Sequence, residues 1–214
     1  LIVIGIFLFL TGTFLWVLPG DNNILDSGYA NVDGLFSLAP WLYLFLVPAL
    51  TMRFFAEERK SGTIELLLTR PLSTMQIVLA KYIAGVVLVL FSLLPTLIYV
   101  YSVSQLGLPK GNIDFGGFFG SFIGLLFLAS SYTAIGVFAS SVTDNQIVSF
   151  LLAALVSFFF YYGFELLSLF VPSAAIQDVV SQWGISYHYD SMSRGVIDSR
   201  DVVYFISLSV VFLY

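Results

Sequence analysis

Charged side chains in this sequence are concentrated in one segment. Residues 53–81 contain five of the eight Lys and Arg residues and three of the thirteen Asp and Glu residues. The densest part of this segment is the run Glu57-Glu58-Arg59-Lys60. In a chain that is otherwise apolar, such a run offers ionic contacts to a partner at a surface and does not indicate a reaction site.

Glu165 is a second candidate because it interrupts the apolar run FFFYYGFELLSLF. An ionisable side chain at membrane depth is by default a functional candidate. Two interpretations stay open for it. Glu165 is either such a site or, because it lies near the outer end of its segment, a carboxylate that reaches interfacial water or pairs with the residues that follow.

Patterns for catalysis or metal binding are absent from the sequence. His188 is the single histidine and has no cysteine or carboxylate pair beside it, so we expect hydrogen bonding at the membrane interface and no metal site. Asp198 and Asp201 flank Arg200, which predicts a local salt-bridged turn. The sequence has no cysteine, no triad or paired-carboxylate pattern and no Gly-Lys dipeptide, hence no P-loop and no expected cofactor of its own.

The composition indicates an all-α membrane protein. The 214 residues are 59% hydrophobic and 10% charged, with a mean hydropathy of +0.98, whereas a soluble domain carries about 25% charged residues. The net charge of −5 lies on short loops without a basic face, so nucleic acid is not an expected partner. Both ends of the sequence are apolar, and we expect one domain over residues 1–214 that is trimmed at both ends.

A membrane-spanning helix needs roughly 20 mostly apolar residues. Six segments meet or approach that length: about 1–18, 36–54, 80–104, 116–139, 147–171 and 201–214. Pro48 and Pro95 fall inside spans, where they should kink the helix without ending it.

Basic residues predict the orientation of these spans. Residues 19–35 contain no Lys or Arg and are placed outside, whereas residues 53–81 are placed inside. Residues 172–200 hold Arg194 and Arg200 and are placed outside, mildly against the rule. We therefore expect both termini in the cytoplasm, with short helices between spans five and six lying at the outer leaflet.

Residues 55–81, here called the elbow, read as a broken helical connection. Ser61-Gly62-Thr63 interrupts the helix from span two, and Thr63 can cap a short amphipathic helix over Ile64–Thr69 with Glu65 near its positive end. Arg70-Pro71 stops that helix. Ser73 to Gln76 then matches a capping box that opens span three. From these features alone, an ordinary cytoplasmic loop is an equally good interpretation.

Span four begins GGFFGSFIG, which places Gly116, Gly120 and Gly124 on one stripe of the helix. Small residues four apart allow helices to approach closely in lipid. Packing within one subunit is the favoured interpretation of this stripe, and an interface between subunits is the alternative.

The elbow resembles the segment after the second span of ABC-2-type transporter permeases. The matching residues are Glu57, Arg59, Ser61, Gly62, Thr63, Glu65, Leu67, Leu68, Thr69, Pro71 and Ser73. A second match lies in residues 188–201 ahead of the last span, although Met192 replaces the aromatic residue that the family usually has. Within the family, the block FFAEERKSGTIELLLTRPLS is most similar to the permease subunit of the gliding-motility-associated ABC transporter of Bacteroidetes.

The resemblance implies a subunit of the bacterial inner membrane that works with a separate ABC ATPase, which holds the ATP and Mg²⁺. It also implies a second permease chain, as a homodimer or a heterodimer, within the lipid bilayer. The ATPase would contact the elbow through Glu57, Glu58, Arg59, Lys60, Ser61, Gly62, Thr63 and Glu65.

Two functions are compatible with such an elbow. One is a permease subunit that couples ATP hydrolysis to the export or movement of a substrate. The other is a subunit that transmits mechanical motion to an envelope assembly, such as a motility or secretion apparatus, without moving a substrate. Substrate-dependent ATPase activity in liposomes would separate them. A membrane enzyme is a third and weaker hypothesis, because catalytic residues are not clustered in the sequence.

Overall fold

The computed structural model describes residues 2–65, 69 and 71–214, and the regular secondary structure in these residues is helical. The helices are α1 (Ile2–Trp16), α2 (Ile24–Ser27), α3 (Asp33–Thr51), α4 (Ala56–Lys60), α5 (Thr74–Leu93), α6 (Leu97–Leu106), α7 (Phe115–Val142), α8 (Gln146–Phe158), α9 (Phe164–Ser168), α10 (Ala174–Ser181), α11 (Ile185–Met192) and α12 (Ser199–Leu213). A 3₁₀ turn, Leu94–Thr96, joins α5 to α6, and a π-helical turn, Phe159–Gly163, joins α8 to α9.

Four helical segments in the described part of the chain are long and apolar enough to cross a membrane. They are Asp33–Lys60, Thr74–Leu106, Phe115–Val142 and Gln146–Ser168. These segments coincide with the second to fifth predicted spans. α1 is apolar but has 15 residues, and α12 also has 15. The short helices predicted between spans five and six are present, as α10 and α11.

α7 is the centre of the bundle. It contacts α3, α5, α8, α11 and α12, and its middle is fully buried at Leu125, Leu128, Tyr132 and Ile135. The helix reaches its neighbours closely because it is rich in small residues. A Cβ atom on Gly136 would lie 2.0 Å from the Thr51 Oγ1 atom, so only glycine allows α3 this close.

Prolines lie inside the predicted spans without ending them, as the sequence predicts for Pro48 and Pro95. Pro40 and Pro48 lie inside α3. Pro95 lies in the 3₁₀ turn between α5 and α6, and the chain continues as helix on both sides. A proline has no backbone N–H to donate to the preceding turn, which explains why the helix tightens there.

Packing within the chain accounts for most of the glycine stripe of span four. A Cβ atom on Gly120 would lie 2.3 Å from the Gly195 carbonyl oxygen, and one on Gly124 would lie 2.5 Å from the Met192 Cβ atom. The favoured interpretation is therefore confirmed for these two glycines, which seat the segment after α11 on α7. A Cβ atom on Gly116 would meet only Asp114, at 3.3 Å.

Candidate functional site

The elbow starts with a turn that α7 holds in place. α3 ends at Thr51, and residues 52–55 form turns before α4 begins. The Ser140 hydroxyl accepts hydrogen bonds from the backbone N–H groups of Phe55, at 2.8 Å, and Ala56, at 3.1 Å. It also donates to the Met52 carbonyl at 3.3 Å. A side chain of α7 therefore satisfies backbone groups that the break between α3 and α4 leaves free.

Lys81 of α5 fastens α4 from the other side. Its ammonium group lies 2.6 Å from the Glu58 Oε1 atom and also donates to the Phe54 carbonyl. The same group lies 4.6 Å from the centre of the Phe55 ring, within the range of a cation–π contact. Because both charged side chains are partly buried, with 18% and 32% exposed, this ion pair is less screened than one at a surface.

A small apolar cluster supports these polar contacts. Phe55 packs with Ile77 of α5 and Val137 of α7, and the three side chains are buried. Turn 52–55, α5 and α7 thus share one core at this end of the bundle. The elbow is therefore attached to the spans by apolar packing, hydrogen bonds and an ion pair.

The predicted break in the elbow is present. α4 ends at Lys60, and Gly62 has a φ of +71°, which side-chain-bearing residues rarely adopt. The Ser61 hydroxyl donates to the Glu57 carbonyl at 2.8 Å and lies 2.8 Å from the Thr63 hydroxyl. Ile64 and Glu65 are helical after the break.

The predicted helix Ile64–Thr69 includes residues 66–68, which lie outside the described residues, as does residue 70. The predicted roles of Leu67, Leu68 and Arg70 in that helix and its stop therefore stay predictions. The capping box beyond it is confirmed. The Ser73 hydroxyl accepts from the Gln76 N–H at 3.3 Å, and the Gln76 side chain accepts from the Ser73 N–H at 2.9 Å.

The elbow residues proposed to contact an ATPase differ in how free they are. Glu58 is half-buried against Lys81. The remaining seven are exposed: Glu57, Arg59, Lys60, Ser61, Gly62, Thr63 and Glu65. These exposed residues form a polar surface on α4 and the turn after it. Glu58 instead takes part in the contact that holds α4 on α5.

A cavity of about 880 Å³ lies at the opposite end of the bundle. The first residues of α3 and α7 form one side, and the residues around α9 and α11 form the other. Glu165 lines it and is exposed, with its Oε2 atom 3.4 Å from the Ser186 hydroxyl of α11. Of the two interpretations of Glu165, the contact with the following segment is thus present, and the carboxylate also faces an open space.

Behind the cavity, Tyr189 joins the outer helices to α3. Its hydroxyl donates to the Phe36 carbonyl at 2.7 Å. Burial raises the pKa of Tyr189 well above its ordinary value of 10.0, so the hydroxyl stays protonated and keeps this hydrogen bond at any physiological pH.

The predicted hydrogen bonding of His188 is present, whereas the predicted environment of Asp201 is corrected. The His188 Nδ1 atom lies 2.7 Å from the Asp201 Oδ1 atom, and the Ser191 hydroxyl donates to Asp201 Oδ2 at 2.6 Å. The predicted salt-bridged turn is wrong for Asp201, because this carboxylate binds His188 and Ser191 of α11 and forms no ion pair with Arg200 among the described residues. Asp198 accepts from the Arg200 N–H at 2.9 Å, which holds the pKa of Asp198 below its ordinary value of 3.8.

Sequence reasoning missed Ser140, the Lys81–Glu58 pair and the His188–Asp201 pair. No local sequence pattern indicated Ser140, because the residues that it contacts are about 85 positions away and meet it only in the folded bundle. Lys81 and Glu58 could have been paired from the elbow itself. Glu58 lies near the start of the elbow and Lys81 at its end, and the two ends of such a connection come close together.

Comparison with known protein families gives a match over most of the chain. The model of the family described as ABC-2 family transporter protein matches residues 2–193, which is most of the chain. Among curated proteins, none matches the chain at a significant level. The chain therefore belongs to the ABC-2 transporter family, whose members form the membrane component of ABC transporters.

Proposed function

We propose that this chain is the membrane-spanning permease subunit of an ABC transporter and that a separate ATPase chain binds it at the elbow. In this proposal ATP and Mg²⁺ are held by the partner. The polar contacts come from exposed residues of the elbow, chiefly Glu57, Arg59 and Lys60.

One observation carries this proposal: the charged helix α4 is exposed on one side and attached to the spans on the other. Lys81 fixes it to α5, and Ser140 fixes its first residues to α7. A force applied to the exposed side therefore reaches two long helices through short polar contacts. A flexible loop that only follows the positive-inside rule needs no such attachment.

The proposal includes six spans with both termini in the cytoplasm. The four long apolar segments are flanked by α1 and α12, and each of these is about 22 Å long at 1.5 Å per residue. That length falls short of the roughly 30 Å hydrocarbon core, so both helices would cross it only with a thinner bilayer or additional residues. With this orientation the elbow faces the cytoplasm and the cavity faces outward.

Finer assignments belong to the same proposal. We place the chain in the bacterial inner membrane, paired with a second permease chain as a homodimer or heterodimer. Residues 54–73 support a role in gliding motility through their resemblance to that subfamily of permeases. Export or movement of a substrate is the proposed activity, and the substrate is left to experiment.

Co-purification with the ABC ATPases of the same genome tests the proposal. The variant Glu57→Lys/Arg59→Glu reverses two exposed charges while leaving Glu58 and Lys81 in place. We expect it to reduce ATPase capture and membrane-dependent ATPase activity about tenfold, which corresponds to about 1.4 kcal/mol of binding free energy.

Lys110→Glu is the matched control because it reverses an exposed charge between α6 and α7, at the end of the bundle away from the elbow. It should leave ATPase capture unchanged. Equal capture by the wild type and the double variant, with both folded, would contradict the proposal.

A further inference from the structure

The outer cavity has the size of a ligand site. Its volume of about 880 Å³ lies within the range of about 300–1,000 Å³ found for pockets that hold small molecules. The cavity is not part of the elbow, and the proposed contact with an ATPase does not use it.

Buried aromatic rings line the inner part of this cavity. Phe36 of α3, Phe118 of α7 and Tyr161 of the π-helical turn are 1%, 5% and 8% exposed, yet all three border the space. The rings of Phe36 and Phe118 pack together with centroids 5.6 Å apart. The three rings come from different elements. Phe118 and Tyr161 keep a small accessible area at the cavity, whereas Phe36 is covered and packs against Phe118.

Carboxylates line the outer part. Asp33, Asp114, Glu165 and Asp190 border the cavity and are all exposed. One cation, Arg194, faces the same space, and it is paired with Asp190 at 2.9 Å. Three negative charges around the opening are thus left without an ion pair among the described residues.

These carboxylates are spread around the opening. No group of three or more metal-ligating side chains is close enough to hold an ion in the part of the chain that the structure describes. A bare metal cation would therefore find fewer than three carboxylate ligands there. A molecule that carries its positive charge on an extended body can instead lie on the aromatic surface and still reach the carboxylates.

We propose that this cavity binds an organic cation with an aromatic or apolar body, with the body against Phe118 and Tyr161 and the positive charge near Glu165 and Asp33. Aromatic faces attract cations, and the attraction strengthens where water is partly excluded. Opposite charges at the opening add a longer-range attraction that salt weakens. An anion of the same shape meets the same rings but is repelled at the opening.

Only the outward orientation of the cavity rests on the proposed function. Binding itself requires neither the ATPase nor the elbow. Tests on the isolated chain in lipid nanodiscs can therefore fail or succeed independently of ATPase capture by the elbow variants.

Tetraphenylphosphonium and tetraphenylborate are suitable probes because they share a shape and differ in the sign of their charge. Equilibrium dialysis against nanodiscs containing the full chain, with empty nanodiscs subtracted, measures the saturable component of each. We expect saturable binding of the cation that weakens as salt is raised, and none of the anion. Equal saturable binding of both ions, or binding of neither, would overturn the proposal.

Glu165→Gln removes one charge at an exposed position and should leave the fold intact. We expect it to weaken tetraphenylphosphonium binding about fivefold, and Glu165→Gln/Asp33→Asn about twentyfold. Asp178→Asn removes an exposed carboxylate of α10 that does not line the cavity and should leave the affinity unchanged. An equal effect of Asp178→Asn and Glu165→Gln would show that only the overall charge matters and would also overturn the proposal.

Discussion

At the elbow end of the bundle, Lys81 binds Glu58 and the Phe54 carbonyl, so charge there holds one helix on another. At the cavity end, Asp33 and Glu165 stand at an open space, and neither forms an ion pair among the described residues. Paired charges fix a geometry, whereas unpaired charges around an aromatic surface attract a ligand. The contrast separates charges that attach one helix to another from charges that are left free for the proposed ligand.

Gly120→Ala is expected to have the largest effect, and it should act at the cavity end alone. The new Cβ atom would lie 2.3 Å from the Gly195 carbonyl oxygen, and backbone cannot move aside as a side chain can. Overpacking of this kind costs about 3 kcal/mol. We expect loss of tetraphenylphosphonium binding and a lower melting temperature in detergent.

The control for this variant is Gly116→Ala on the same stripe, where the new atom would meet only the Asp114 side chain, at 3.3 Å. ATPase capture should survive in Gly120→Ala if the two ends are separate. Loss of ATPase capture together with loss of tetraphenylphosphonium binding would show that the elbow end and the cavity end are not separate.

Lys81→Met should have the next largest effect, at the elbow end. Methionine keeps the apolar stem over Phe55 but leaves the Glu58 carboxylate and the Phe54 carbonyl without their donor. Losing charged hydrogen bonds at a partly buried site costs about 2 kcal/mol. We expect weaker ATPase coupling and normal binding of tetraphenylphosphonium.

Thermal unfolding of Lys81→Met can be compared with that of Lys60→Met, since Lys60 is exposed on the same elbow. Substitution at an exposed site changes stability by about 0.5 kcal/mol or less. Similar melting temperatures for the two variants would show that the ion pair does not hold the elbow.

Low pH should lower the stability of the fold only slightly. The effect should begin at the cavity end of the bundle, where α12 starts. The Arg200 N–H holds the pKa of Asp198 below its ordinary value of 3.8, so folding favours the ionised carboxylate. The stabilisation is therefore complete above pH 3.8 and is lost as the pH falls through the lowered pKa. Asp198→Asn keeps an acceptor for the cap and should flatten this dependence in a melting curve measured against pH.

Local patterns in the sequence predicted much of the elbow, but the sequence did not predict the contacts between distant residues. The capping box at Ser73 and the break at Gly62 depend on residues within a few positions of each other, so the pattern was sufficient. Long apolar runs likewise predicted the spans from α3 to α9. The Ser140 contact and the Asp201 side-chain direction depend on how distant helices pack, which one sequence does not determine.

The cavity illustrates the same limit. Its walls come from α3, α7, the π-helical turn and α11, so that only the packed bundle brings Asp33 and Glu165 to the same cavity. Glu165 was noticeable in the sequence because a charge in an apolar run is conspicuous. Asp33 lies in residues 19–35, a segment that the sequence distinguished only by its lack of Lys and Arg.

α7 is continuous over 28 residues and contains no proline, which makes it about 42 Å long. Phe118 at its start borders the cavity, and Ser140 near its end holds the elbow. If the helix moves as one rigid lever, occupancy of the cavity and attachment of the ATPase are thermodynamically linked. Each ligand must then change the affinity of the other by the same factor. Titration of tetraphenylphosphonium with and without the ATPase measures that factor, and a value of one would show that the ends of the lever are uncoupled.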